Sequence, residues 1–132
     1  MVRAMKIRVD IAPGELIDKL TILEIKLENI KDERKLANVR SEYADLMGVF
    51  KSAIAETRRL TALTAELKRI NATLWRIEDE IREQERAGTF GQAFVDLARS
   101  VYRTNDLRAA TKREINELLN SGIIEEKSYS PY

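Results

Sequence analysis

Four long segments of the chain carry apolar residues at alternating steps of three and four, the spacing of one face of an α-helix. The same steps fit the a and d positions of a coiled coil. The third segment is the clearest, with apolar residues at 60, 63, 67, 70, 74, 77 and 81. We therefore predict an all-α fold, an antiparallel helical bundle or long helical hairpin, in a single domain over residues 1–132.

Proline, glycine and capping residues mark the expected ends of these helices, which cover 13–31, 33–53, 56–87 and 90–121 and leave a tail at 122–132. Pro13 suits the first helical turn, and Asp32 is a good N-cap for the second helix. The apolar pattern changes phase between Phe50 and Leu60, which together with Gly48 indicates either a short break or a strained continuous helix, and we expect the break. Gly88 should end helix three, and Thr89–Gln92 should open helix four as a capping box.

The segment 4–11 has a different period, because apolar residues alternate there with charged ones as in a half-buried strand. The tail has β-compatible ends, and its acids Glu125 and Glu126 could lie beside the basic Lys6 and Arg8. We therefore expect the termini to form a minor two-stranded ribbon. Such a ribbon is marginal alone and would have to lie on the bundle or be extended by a second copy.

Composition removes several chemistries. The 132 residues include no His and no Cys, which excludes disulfides, thiolate or imidazole metal sites and nucleophiles activated by histidine. A metal would have to be a hard cation on oxygen ligands, and no cofactor is expected otherwise. The net charge of +1 and the lack of a recognisable nucleic-acid module argue against a nucleic-acid partner.

The sequence also gives no sign of a membrane or secretory segment. The start at Met1–Lys6 lacks the apolar stretch of a signal peptide, and no apolar run approaches the roughly 18 residues of a spanning helix. We expect a cytoplasmic protein with no membrane partner.

Polar residues interrupt the apolar face of helix four at Thr104, Arg108 and Thr111, flanked by Asn105 and Lys112. Buried polar groups need partners, since each unsatisfied one costs about 1–3 kcal/mol. One interpretation is a polar pocket in which Arg108 and Lys112 face an anionic ligand. The other is that Arg108 extends its charged end into water while the threonines bond back to their own helix.

Near the end of helix three, Trp75, Glu78 and Arg82 share one face. Arg82 could act as a second guanidinium in the pocket, and Trp75 could form an apolar wall. Alternatively, Glu78 and Arg82 form an ordinary pair one turn apart, and Trp75 belongs to the core.

Glu15 and Asp18 are spaced so that two carboxylates could share Mg²⁺ on one helix face. All-helical nucleotide pyrophosphohydrolases have E-x-x-E followed later by E-x-x-D, whereas here the order is reversed and Glu80-x-x-Glu83 comes second. A Mg²⁺-dependent nucleotide or sugar-phosphate hydrolase that uses Glu15, Asp18 and Glu78 is therefore the alternative function. A helical enzyme like chorismate mutase is a further, weaker one.

Several longer motifs resemble those of an uncharacterised family of small bacterial and phage-type all-helical proteins. They are PGELIDKLTILEIKLE at 13–28, LWRIEDEIR at 74–82, ARSVYRTND at 98–106, KREIN at 112–116 and EEKSY at 125–129. The resemblance brings no activity and no catalytic residues. It does imply that the polar motif residues of helices one, three and four converge on one site.

These observations favour a binding or scaffolding module over an enzyme. We expect a polar cleft between helices for a small anionic ligand or an acidic peptide, with no catalytic residues. The ligand-binding residues are expected to be Arg108, Lys112, Asn105, Arg82 and Trp75, with Glu78 and Asp18 orienting the cations. The wide apolar surface of helix one suggests a homodimer or another protein partner.

Overall fold

The computed structural model describes residues 4–132, which contain four α-helices and no strand. The helices are α1 (Pro13–Asn29), α2 (Glu33–Ala53), α3 (Arg58–Ala87) and α4 (Gln92–Leu118). Residues 1–3 lie outside the described part of the chain. The all-helical prediction is confirmed.

Helix α1 is the centre of the bundle, because it approaches each of the other three helices. Helix α3 also packs along α4, whereas α2 approaches α1 alone among the described helices. The core cluster is Leu16, Ile17, Leu20, Phe50, Leu60, Leu63, Leu67 and Ile115. Most of these residues belong to the apolar faces read from the sequence, so helical spacing does select the buried side of each helix.

The helix ends follow from local hydrogen bonding. The Asp32 carboxylate accepts hydrogen bonds from the backbone of Arg34 and Lys35, and so caps α2 as expected. Helix α2 ends at Ala53, and Thr57 is the N-cap of α3. The Thr57 hydroxyl oxygen accepts a hydrogen bond from Leu60 N–H, so α3 begins at residue 58 rather than at the predicted 56.

The turn between α3 and α4 follows the prediction only at its first residue. Gly88 ends α3 with a φ of 70°, a left-handed conformation that favours glycine. The expected capping box is wrong, because Gly91 is the N-cap of α4 and no side chain caps it. The Thr89 hydroxyl instead bonds back to Gln84 at the end of α3.

The predicted ribbon is not present. Residues 4–11 form neither helix nor strand, and Met5, Ile7 and Val9 are between 72% and 86% exposed. The tail does not pair with them and lies along α4 instead. A two-stranded ribbon needs a surface to cover its apolar side, and the bundle covers neither Met5, Ile7 nor Val9. The alternating pattern was therefore compatible with a strand without being sufficient for one.

The far half of the α3–α4 hairpin extends past the core that the four helices share. Ile77 is the last buried residue of α3, and Thr104 is the first buried residue of α4. No side chain between them is buried, although Ile81, Phe94 and Leu97 are half-buried along the seam. This hairpin tip, residues 78–103, is a two-helix structure without a third helix over it.

Within residues 4–132, no helix combines the length and the apolar character that crossing a bilayer requires.

Candidate functional site

Helices α1 and α4 are antiparallel and are joined by a ladder of polar contacts. Three residues of α1, Gly14, Glu15 and Asp18, bond to Asn116, Lys112 and Arg108 of α4 in that order. The α4 residues are spaced one helical turn apart, so all three face α1. The polar positions on the seam of α4 are thus matched by polar residues at the start of α1.

The inner end of this ladder is an ion pair between Asp18 and Arg108. Arg108 Nε lies 3.0 Å from one carboxylate oxygen of Asp18, and Arg108 Nη2 lies 2.5 Å from the other. The Asp18 side chain is 1% exposed, whereas that of Arg108 is 31% exposed. The Asn71 amide donates a further hydrogen bond to Asp18 at 2.9 Å and one to Thr21 at 3.0 Å. This network satisfies a carboxylate that would otherwise be too costly to bury.

The pairing has a direct effect on the ionisation of Arg108. Its hydrogen bonds to Asp18 raise the pKa of the guanidinium, an effect that burial partly opposes and that the charges of Asp18 and Glu15 reinforce. Arg108 is therefore a permanently charged group held in one orientation. The guanidinium cannot rotate without breaking the hydrogen bonds that Nε and Nη2 donate to Asp18.

Lys112 forms the next rung, and its ammonium group contacts two carboxylates. Its Nζ lies 2.6 Å from Glu15 and 3.6 Å from Glu125 of the tail. Glu15 is also 3.9 Å from Lys19, one turn further along α1. Lys112 is largely buried, with 14% of its side chain exposed, so its ammonium links α1, α4 and the tail.

The outer rung is a cap supplied from the far end of the chain. The Asn116 side-chain oxygen accepts a hydrogen bond from Gly14 N–H at 2.7 Å, in the first turn of α1. The N-cap residue Ala12 has no side-chain oxygen for this role. A Cβ at Gly14 would lie 2.7 Å from both Asn116 Oδ1 and the Lys112 carbonyl oxygen, so only glycine fits this approach.

A groove of about 1550 Å³ runs between α4 and the tail. It is lined on the α4 side by Asn105, Arg108, Lys112 and Arg113, among others, and on the tail side by residues 120–132 except Gly122 and Ser128. Asp18 and Glu15 do not line it. Arg108 and Lys112 therefore contact carboxylates of α1 on one side and line the groove on the other.

The structure brings together only part of the predicted site. Asp18, Arg108 and Lys112 converge, and Asn105 lies in the same groove. Arg82 instead pairs with Glu78 at 2.8 Å on the exposed surface of the hairpin tip. Arg82 is eleven residues beyond Asn71, about 16 Å along the axis of α3. Trp75 is half-buried on α3 and does not line the groove.

Sequence reasoning missed two residues of the network, Asn71 and Asn116. Asn71 lies four residues after Leu67, which places a polar group inside the apolar face of α3. Asn116 lies four residues after Lys112, on the polar line of α4. Both positions could have been found by extending the search for polar residues from the seam to the whole buried face.

Of the two interpretations of the polar seam, the structure shows one in part and leaves the anionic ligand as a prediction. Thr111 does bond back to its own helix, donating to the Leu107 carbonyl at 3.0 Å. Arg108 reaches α1 and Asp18, so it does not simply extend into water.

The carboxylates of the magnesium alternative, Glu15 and Asp18, each bind a cation of the chain itself. Among residues 4–132 no three acidic side chains form a cluster that could hold a metal ion.

Comparison with known proteins adds one relationship. No curated protein and no solved structure matches the chain. A family model described as a family of unknown function, DUF6165, matches residues 5–132, which includes all four helices, the polar ladder and the tail. The chain belongs to this family.

Proposed function

We propose that this chain is a small helical binding or scaffolding module whose α4 groove recognises the carboxylate or phosphate group of a ligand. One observation carries the proposal: the groove already holds carboxylates. Glu125 of the tail lies 3.6 Å from Lys112, and Glu126 lies 3.9 Å from Arg113. The cations on α4 are thus within reach of an anionic group that enters from the solvent side.

The residues of the groove suit this role. Asn105, Arg108 and Lys112 are spaced by three and four, so they share one face of α4. Because Asp18 already fixes Arg108, binding an anion would not have to immobilise that side chain. Arg108 Nη1 has no hydrogen-bond partner within the described chain and remains available as a donor.

Small anions test the proposal directly. Citrate and inorganic phosphate, titrated at low ionic strength into ¹⁵N-labelled protein, are expected to shift the amide resonances of residues 105–113. Lys112→Gln is expected to weaken citrate binding about tenfold or more, since a charged hydrogen bond contributes about 1.5–3 kcal/mol.

Arg82→Gln is the matched control. It also removes one positive charge, but from an exposed pair outside the groove, and should leave citrate affinity unchanged. Equal weakening by both variants would indicate a general charge effect. That result, or the absence of citrate and phosphate shifts along α4, would contradict the proposed function.

A further inference from the structure

The C-terminal tail returns along α4 after a tight reversal. Asn120 adopts a φ of 54°, and the chain then runs back toward the N-terminal end of the helix. Glu126 meets Arg113, Lys127 meets Asp106, and Tyr132 reaches both Asp106 and Tyr102. Later tail residues contact earlier helix residues, so the tail is antiparallel to α4.

The spacing of these contacts is consistent with an extended peptide. From Arg113 to Tyr102, α4 rises about 16 Å over eleven residues. The six residues from Glu126 to Tyr132 span at most about 20 Å when fully extended. The tail, which forms neither helix nor strand over residues 123–132, can therefore cover this length of α4 as an extended segment.

Side chains alone hold the tail in place. Beyond Ser121 no backbone hydrogen bond joins it to the rest of the described chain. The carboxylates of the tail are exposed, Glu125 by 45% and Glu126 by 75%, although Lys112 opposite Glu125 is largely buried. Exposed ion pairs of this kind each contribute little to stability. The tail can therefore detach from α4 without disturbing the core.

Aromatic contacts complete the recognition. The rings of Tyr132 and Tyr102 pack edge to face with centroids 5.0 Å apart, and the Tyr132 hydroxyl donates to Asp106 at 2.8 Å. Lys127 donates to Asp106 at 2.5 Å. Helix α4 thus contacts two adjacent carboxylates, the lysine that follows them and, six residues after the second carboxylate, a tyrosine.

We propose that the tail is an internal competitor that covers the basic face of α4, where it forms one wall of the groove, and that an extended acidic peptide with the same chemistry displaces it. This inference rests on the proposed function and names its ligand and its regulation. The carboxylates of Glu125 and Glu126 stand where the carboxylates of the ligand bind. Because the tail is tethered, its effective concentration is on the order of millimolar, and a free peptide must compete with it.

Full-length variants with a weakened tail test the competition. The probe is a fluorescein-labelled synthetic peptide of residues 121–132, and its binding is followed by fluorescence polarisation at low ionic strength. The double variant Glu125→Gln, Glu126→Gln is expected to bind the probe about 2- to 10-fold more tightly than the wild type, because its own tail competes less.

A matched control removes two negative charges elsewhere. The double variant Glu83→Gln, Glu85→Gln changes the net charge equally at the hairpin tip and should bind the probe as the wild type does. Adding Arg113→Gln to the double tail variant should reverse the gain, since the probe then loses a groove contact.

The outcomes separate the two proposals. If the tail variant binds the probe no more tightly than the wild type, or if no version binds it, the competitor role is overturned. Citrate binding along α4 would still support the proposed function in either case. If neither citrate nor the peptide binds, both proposals fail.

Discussion

At the scale of single residues, the most demanding feature is a carboxylate with no access to water. Asp18 is tolerated in the core because Arg108 and Asn71 satisfy its oxygens from two different helices. An ion pair of this kind adds little net stability, since burying the charges offsets much of their attraction. Its clearer effect is geometric, because it fixes both the register of α1 against α4 and the direction of the Arg108 side chain.

Gly14 gives a sharp prediction at this scale. Gly14→Ala should lower the free energy of unfolding by about 1–3 kcal/mol, the usual cost of overpacking. The new methyl group would meet the Lys112 carbonyl, which belongs to helix backbone and cannot turn aside, and the Asn116 oxygen that caps α1. Urea unfolding followed by circular dichroism measures the change.

Gly48→Ala is the matched control for that substitution. Gly48 lies within α2, and nothing lies within 4 Å of an added Cβ there. The same change should therefore raise the free energy of unfolding by about 0.5–1 kcal/mol through helix propensity. A Gly14→Ala protein as stable as the wild type would contradict the close approach of α1 and α4.

At the scale of elements, the helices differ in how much of their length is supported. Helix α3 has 30 residues, about 45 Å, whereas α1 has 17 residues, about 26 Å. The hairpin tip therefore lacks the third helix that buries the rest of α3 and α4. Stability should fall along α3 from its first half to its end.

Hydrogen exchange tests this gradient. Amides of residues 78–98 are expected to exchange about tenfold faster or more than those of residues 60–71, because local opening of the tip exposes no buried side chain. Exchange followed by mass spectrometry on peptic peptides resolves the two regions. Uniform protection along α3 would contradict the expectation and would indicate that another molecule, such as a second copy, covers the tip.

Local patterns were sufficient to predict the helices but not the ribbon. Apolar spacing, Asp32 and Gly88 act within a few residues, so the sequence near each helix determines the helix and its ends. The strand-like alternation of Met5, Ile7 and Val9 depended on a partner, and pairing partners are not encoded locally. The tail lies along α4 because Arg113 and Asp106 complement its charges there.

The sequence predicted the charged residues that interrupt a buried helix face, but it did not predict which residues lie close together along the helix axes. Arg108 and Lys112 stand out because they interrupt an apolar face. The grouping of Arg82 with them failed because shared polarity does not report position along a helix of about 45 Å. Asn71 carries no charge, and no local pattern pairs it with Asp18, which lies 53 residues earlier.

At the scale of the whole molecule, we expect the docking of the tail on the bundle to depend on pH. The hydrogen bond from Lys127, with a second from Tyr132, lowers the pKa of the Asp106 carboxyl. The hydrogen bond to Asp106 in turn raises the pKa of Tyr132. Arg103 and Tyr102 of α4 also face this cluster.

The direction of both shifts defines the pH range of docking. Because the docked Asp106 has a lowered pKa, its contribution is present above the normal carboxyl pKa and is lost as pH falls through the lowered value. The contribution of Tyr132 is present below the normal tyrosine pKa and is lost as pH rises through the raised value. The tail should be ordered near neutral pH and released in acid and in strong alkali.

Heteronuclear NOE values of residues 125–132, recorded from about pH 7 down to about pH 3, measure the acid release. They should fall while those of α1 stay high. In Asp106→Asn the tail should already be more mobile at neutral pH, and the acid transition should be smaller. A tail that keeps its order in acid would contradict this account.

The ladder between α1 and α4 also bears on how the chain folds. Gly14 and Asp18 find their partners 102 and 90 residues later. During synthesis α1 emerges first, yet its capping oxygen and its guanidinium partner are among the last helical residues to appear. Closing contacts of such sequence separation slows folding, because the loop must be ordered before the contacts form. The first helix therefore completes its packing only once α4 is present, and the nascent α1–α2 segment exposes an apolar face until α3 arrives and a carboxylate without its cation until α4 arrives.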